Sequence, residues 1–224
     1  MDITLENHLI EIAKAKISDD DPSHDMLHAM KVLETVKYLS SKEGGDLDVL
    51  VPAALFHDVV CYQKNHPNSH LSAKESAELT ASILKELNNY PQEKIANVYA
   101  IINECSFSKG ITSTSIEGKI LQDADKLEAT GIISIMRTFC SAGQMKKKLY
   151  HPEDPFCIER KPDGKVYALD LFFDRLLVVK DLMHTQTAKK IAERRTKVLQ
   201  RFLEDFSLEL YSGLENPVKT NVNG

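Results

Sequence analysis

Residues 54–67 read ALFHDVVCYQKNHP, and an apolar run, VPAALF, leads straight into His57 and Asp58. That run reads as a buried helix with an adjacent imidazole and carboxylate at its end. Burying a carboxylate is expensive unless it is paired or binds a metal. Neighbouring side chains on a helix point about 100° apart. Both residues can therefore reach one ion only if it lies across the helix end. The alternative is a buried salt bridge from Asp58, for instance to Lys31. The dipeptide alone leaves both readings open.

Three of the 8 histidines, His8, His151 and His184, read as surface or packing residues. His24 and His28 are four apart and share a helix face next to Leu27 and Met30. A hydrogen-bonded core histidine and a metal ligand both fit there. Further on, LQDADKLEATG places Asp123, Asp125 and Lys126 in an apolar helix, where such groups need partners. One of these acids added to His28, His57 and Asp58 gives two imidazoles and two carboxylates, a protein charge of −2. A mixed nitrogen and oxygen set suits Mn, Fe, Co, Ni, Zn or Mg rather than a structural zinc. It leaves positions for water and substrate, as a metal needs to acidify water and polarise a phosphoryl oxygen.

His28 followed by AMKV, FHD at 56–58 and QDADKLEATGI at 122–132 resemble the HD superfamily of metal-dependent phosphohydrolases. More narrowly, SHD…H, FHDVV…KNHP, SFS, QDADKLEA and LMHTQTAKKIAERR resemble a bacterial single-domain subgroup, over about residues 20–210. The resemblance implies an all-α helical bundle with a central metal site. It maps one divalent metal ion onto His28, His57, Asp58 and Asp125. Asp125 is chosen because the last ligand of the family belongs to an AD-x-L block, here ADKL. Asp123 would then orient a ligand or water. The chain departs from the pattern at Lys31, where the subgroup more often has Arg. It departs again at Cys105, where a His often precedes SFS, leaving Glu104 as a substitute. At Cys61 some HD nucleotidases carry an acid.

The implied activity is hydrolysis of a phosphate ester or anhydride, of a nucleotide above all, by a metal-activated water. Release of phosphate and release of pyrophosphate both fit. Asp58 or Asp125 would ligate the metal and accept the proton of the water. Lys64 would offset phosphoryl charge, and His66 would serve as acid for the leaving oxygen. Ser106 and Ser108 would donate to phosphate, and His24, Asp123 and Lys126 complete the substrate-facing set. Blander roles exist: a solvated Lys64, a turn-shaping His66 before Pro67, capping serines. Two other functions compete, a non-catalytic nucleotide- or metal-binding regulator and a di-iron HD oxygenase. No His occurs from 71 to 150, which favours one metal and hydrolysis.

The elements that must position these residues are helical nearly throughout the 224 residues. Helices are expected over ENHLIEIAKAKI and from Asp21 as N-cap, with Pro22 at the first position, to Gly44-Gly45. The second has an apolar stripe of Leu27, Met30, Leu33, Val36 and Leu39. A third spans DLDVLVPAALFHDVV, with Pro52 near its first turns, where a missing N–H costs least. Two more cover 72–88 and 91–107. SIEGKILQDADKLEATGIISIMRTFCSAG reads as one long central helix, with Gly131 tolerated at a close helix contact. ALDLFFDRLLVVKDLM and a last helix capped by Thr185 follow. One HD domain is expected over 1–215: a core of about 20–142, an irregular loop at 143–165, C-terminal helices at 166–210, and a disordered tail at 216–224. The loop holds three prolines and two glycines, which forbid a regular helix. Its Lys146-Lys147-Lys148 run could face an anion or simply be solvated.

A formal net charge of −5 argues against general nucleic-acid binding. The start lacks the pattern of a signal peptide, and no stretch approaches a membrane span. The 4 cysteines form no CxxC, which fits reduced thiols. The expected setting is cytoplasmic, as monomer or homodimer, with a small-molecule phosphate substrate.

Overall fold

The computed structural model describes residues 1–18, 24–62, 66–105 and 110–211. Among them the architecture is all-α, and the single β-bridge joins Lys148 to Tyr167. The chain divides into two compact units, residues 1–125 and 126–224.

The first unit holds α1 (Ile3–Lys16), α2 (Met26–Glu43), α3 (Leu47–Phe56), α4 (Ser72–Lys85), α5 (Ile95–Cys105) and most of α6 (Ile116–Leu127). Helix α3 is its core: every residue from Val49 to Phe56 is buried. It packs against α1, α2, α4 and α5. Pro52 lies in the sixth position of α3, within its first two turns. A proline there leaves the carbonyl of residue 48 without its usual donor. The buried hydroxyl of Tyr90 takes over, donating to Asp48 O at 2.8 Å. Burial, with the Asp48 and Asp46 carboxylates nearby, pushes the Tyr90 phenol up, so it remains a donor. Lys94 bonds both Asp46 and Asp48, and Asp46 N donates to Glu117 of α6. The start of α3 is thereby anchored to the segment before α5 and to α6.

Helix α2 begins four residues later than expected. Its N-cap is Asp25, whose carboxylate accepts from His28 N at 3.0 Å; Asp21 and Pro22 lie outside the described residues. Its buried stripe is His28, Ala29, Val32, Leu33, Val36 and Leu39. Leu27, assigned to that stripe from the sequence, is 79% exposed. An imidazole occupies the place that hydrophobic spacing gave to a leucine.

The expected long helix is two. Helix α6 stops at Leu127, and α7 runs Gly131–Gln144. Gly131 has φ +74°, a left-handed conformation that disfavours side chains. A Cβ there would also meet the Arg195 side chain at 3.3 Å, so the close helix contact is real. Arg195 donates to Leu127 O, satisfying a carbonyl at the end of α6. Helix α7 does not have the central place its composition implied, since Ile132 and Met136 are 64% and 68% exposed.

In the second unit α7 packs on α8 (Gln186–Leu210), capped as expected by Thr185, which accepts from Ala188 N. The core is Phe156, Leu169, Phe172, Leu176, Leu177, Leu199 and Leu203. The segment ALDLFFDRLLVVKDLM is not one α-helix. It forms a π-turn at Phe172–Leu176 and a 3-10 turn at Val179–Leu182, with Leu177 N donating five residues back to Phe172 O. Phe172 and Leu176 are both buried.

The loop expected at 143–165 is ordered by its polar groups. The Asp154 carboxylate accepts from the backbone of Ile158, Glu159 and Arg160. Arg160 forks onto the fully buried Asp170. Lys147 donates to Gly164 O, an internal partner for one lysine of the triplet.

Candidate metal centre

Helix α3 ends at Phe56, and His57 is its C-cap, still in helical conformation. The last carbonyls of a helix lack backbone donors. His57 Nδ1 meets one of them, Ala54 O, at 2.9 Å. A carbonyl only accepts, so Nδ1 carries the hydrogen, and in the neutral ring Nε2 presents its lone pair. One contact therefore closes the helix end and prepares the imidazole as a ligand.

His57 Nε2 faces His28 Nε2 at 3.3 Å, and both side chains are buried. Two carboxylates flank this pair. Asp58 Oδ2 lies 3.5 Å from His57 Nε2 and 3.8 Å from His28 Nε2. Asp125 Oδ1 lies 3.9 and 3.7 Å from the same atoms. Ligand atoms of His28, His57 and Asp125 fall within 4.8 Å of one another. Two imidazole nitrogens and one carboxylate oxygen gathered at these separations fit one divalent ion, with Asp58 Oδ2 beside the imidazoles but outside that group of three. The imidazoles form the dry floor, at 4% and 2% side-chain exposure, while Asp58 and Asp125 reach outward at 34% and 27%. Water and substrate can thus approach from the carboxylate side. Lys31 pairs with Glu34 at 3.0 Å, so Asp58 does not find its partner there.

His24 Nε2 lies 3.9 Å from Asp58 Oδ2, and its ring meets His28 edge-on, with centroids 5.9 Å apart. Asp123 is fully buried on α6, two residues before Asp125. His66 is exposed, stacks on Tyr62 with centroids 4.8 Å apart, and accepts at Nδ1 from Asn68 N. Its hydrogen in the neutral ring is therefore on Nε2. Tyr62 is held by Glu75, to which its hydroxyl donates at 2.7 Å. Lys126 donates to Leu182 O and to His184 Nε2 within the second unit. Lys64, Ser106 and Ser108 lie outside the described residues.

Sequence reasoning passed over Gln122. Its amide donates to Glu104 O and Ile111 O and accepts from Ser113 N, tying both flanks of the α5–α6 connection to the helix that carries Asp125. A buried glutamine in an apolar helix was the available signal. His184, set aside as a packing or surface residue, is the partner of Lys126.

Comparison with known proteins adds an independent line. The HD domain family matches residues 26–130. The uncharacterized protein YpgQ of Bacillus subtilis is 31% identical over 198 residues, covering 87% of this chain and 88% of that protein. The crystal structure of an HD-superfamily hydrolase from Bacillus thuringiensis superposes with a TM-score of 0.72 at 31% identity, over 93% of this chain and 98% of the other. The structure of B. subtilis YpgQ in complex with ADP gives 0.70 at 28% identity, over 92% and 98%. No helix of the described residues is long and apolar enough to cross a membrane. The family match takes in the whole of α2, α3 and α6, the helices that bring the ligand set together; the chain belongs to the HD domain family.

Proposed function

We propose that this chain is a metal-dependent phosphohydrolase that cleaves a phosphate ester or anhydride of a nucleotide. The observation that carries the reading is the paired Nε2 atoms of His28 and His57, flanked by Asp58 and Asp125. ADP bound to the related YpgQ supports a nucleotide as substrate. His28, His57, Asp58 and Asp125 would hold one divalent ion. When bound, that ion would acidify a water and draw charge from a phosphoryl oxygen.

The chain supplies the rest. Asp58, the more exposed carboxylate, would accept a proton from the attacking water, and His24 beside it would receive hydrogen bonds or touch substrate. His66 would offer Nε2–H to the leaving oxygen, steadied by Tyr62 and Asn68. Asp123, with no exposed surface, fits an orienting role behind Asp125 rather than direct contact. Lys64, Ser106 and Ser108 remain proposed phosphate contacts on the strength of their motifs. The Lys126 ammonium is engaged by Leu182 and His184, so its contribution to substrate would pass through that pair.

The test is a matrix of Mn, Co, Ni, Mg and Zn against nucleoside mono-, di- and triphosphates, with phosphate and pyrophosphate scored separately. Turnover that Asp58→Ala abolishes is the expected result. Nucleotide binding without turnover under every metal would favour a regulator, and two irons per chain would favour an oxygenase.

A further inference from the structure

Among the described residues, a cluster of cations without ion-pair partners lies along α8 in the second unit. Lys190, Arg194 and Lys197 recur on one helical face, and Lys180 joins them from the 3-10 turn packed beside the helix. With Glu193 and Gln200 they line a groove of about 490 Å³. Lys190, Arg194 and Lys197 are exposed. Among the described residues, none of the four cations has an acidic partner within 4.0 Å. Like charges three or four residues apart on a helix repel. Here they are kept together, in a chain whose net charge is −5.

We propose that this groove binds a short polyphosphate chain, either free or as carried by a nucleoside di- or triphosphate. Its volume falls in the range of small-molecule sites. From Lys190 to Lys197 the helix rises about 10 Å, enough to follow two or three linked phosphates. Arg194 supplies a planar fork suited to phosphate oxygens, and the lysines supply mobile point charges. Glu193 within the same groove weakens attraction for a single phosphate and favours a more highly charged ligand. A nucleic-acid duplex is a poorer fit. It carries one charge per about 1.7 Å along its axis, so beyond the groove it would meet an acidic protein. The groove shares no residue with the metal centre, and the inference stands or falls independently of the proposed hydrolysis.

The experiment is calorimetric titration of the full chain in chelator with inorganic tripolyphosphate, ATP and single-stranded RNA. The triple variant Lys190→Ala/Arg194→Ala/Lys197→Ala and a remote charge control, Lys16→Ala/Lys85→Ala, are run in parallel, with thermal melts to show that both fold. The expected result is tripolyphosphate and ATP binding weakened at least tenfold in the triple variant and changed less than twofold in the remote control. A second check is binding that weakens with salt in the wild type and less steeply in the triple variant. Equal binding by wild type and triple variant would overturn the proposal, as would no binding by the wild type at millimolar ligand. Groove-dependent binding of RNA with none of tripolyphosphate would overturn it as well.

Discussion

His57 Nδ1 donates to the carbonyl oxygen of Ala54, one turn back on α3. With Nδ1 so engaged, Nε2 faces His28. This one candidate ligand is therefore oriented by the backbone of the helix that carries it.

Removing a ligand should empty the site without unfolding the chain. His57→Ala and Asp58→Ala should each lower affinity for Mn or Co more than the roughly 10–100-fold typical of losing a supporting contact. Elemental analysis after dialysis against a weak chelator measures this. Metal at about 100 times its Kd should stabilise the wild type by about 2.7 kcal/mol and the variants far less. Equal metal retention by variant and wild type would remove the residue from the ligand set.

Tyr90→Phe should destabilise the protein by about 1–3 kcal/mol, since it strips the donor from the Asp48 carbonyl. In a Pro52→Ala background the same change should cost less, because the restored amide can take that carbonyl. Urea unfolding of the four proteins gives the coupling, expected to exceed about 0.5 kcal/mol. Strict additivity would break the link between the proline and the phenol.

The Asp170–Arg160 pair should make part of the stability acid-sensitive. Burial alone would raise the Asp170 carboxyl, but hydrogen bonds from Arg160 and from Asp163 N outweigh it and hold it below the ordinary range. A depressed folded pKa contributes stability that is complete above the unfolded value, about 3.9, and is lost as pH falls through the folded value. Asp170→Asn should cost about 3 kcal/mol at neutral pH, near the lower end for breaking a buried pair. It should also flatten the loss of stability below about pH 4. An unchanged acid limb in denaturation curves would assign that sensitivity elsewhere.

Thiol reagents should divide the cysteines in two. Cys61 and Cys140 are exposed, whereas Cys105 and Cys157 are buried. Burial, with Asp170 nearby, pushes the Cys157 thiol up to about 12, so little thiolate exists to react. A chromogenic disulfide should modify two cysteines quickly in the folded chain and all four in denaturant. Rapid modification of Cys157 in the native protein would contradict this environment.

The ligand blocks were legible because chemistry chose their residue types: an acid and imidazoles have no packing reason to interrupt VPAALF or an apolar helix. The phase of α2 was not, because His28 occupies a slot on the buried stripe while Leu27 faces solvent. Hydrophobic spacing misreads a stripe that a buried imidazole has entered. The start of α2 was ambiguous for another reason. DDDPSHD offers several capping acids, and only the fold selects Asp25. The break at 128–130 hinges on the left-handed Gly131 and on Arg195, which is remote in sequence. The π-turn at Phe172 lies in a segment whose core partners, Leu199 and Leu203 among them, are distant in sequence.

Attempts to make this protein sturdier will meet a conflict at the end of α3. Lengthening that helix by a turn is an ordinary engineering step, and the new amides would claim the terminal carbonyls. Ala54 O would then no longer serve His57, and the ring could rotate or change tautomer. A variant selected for heat resistance alone would gain degrees of melting temperature there and lose the orientation of this imidazole. The helix ends where it does because its unfinished last turn is itself a working part.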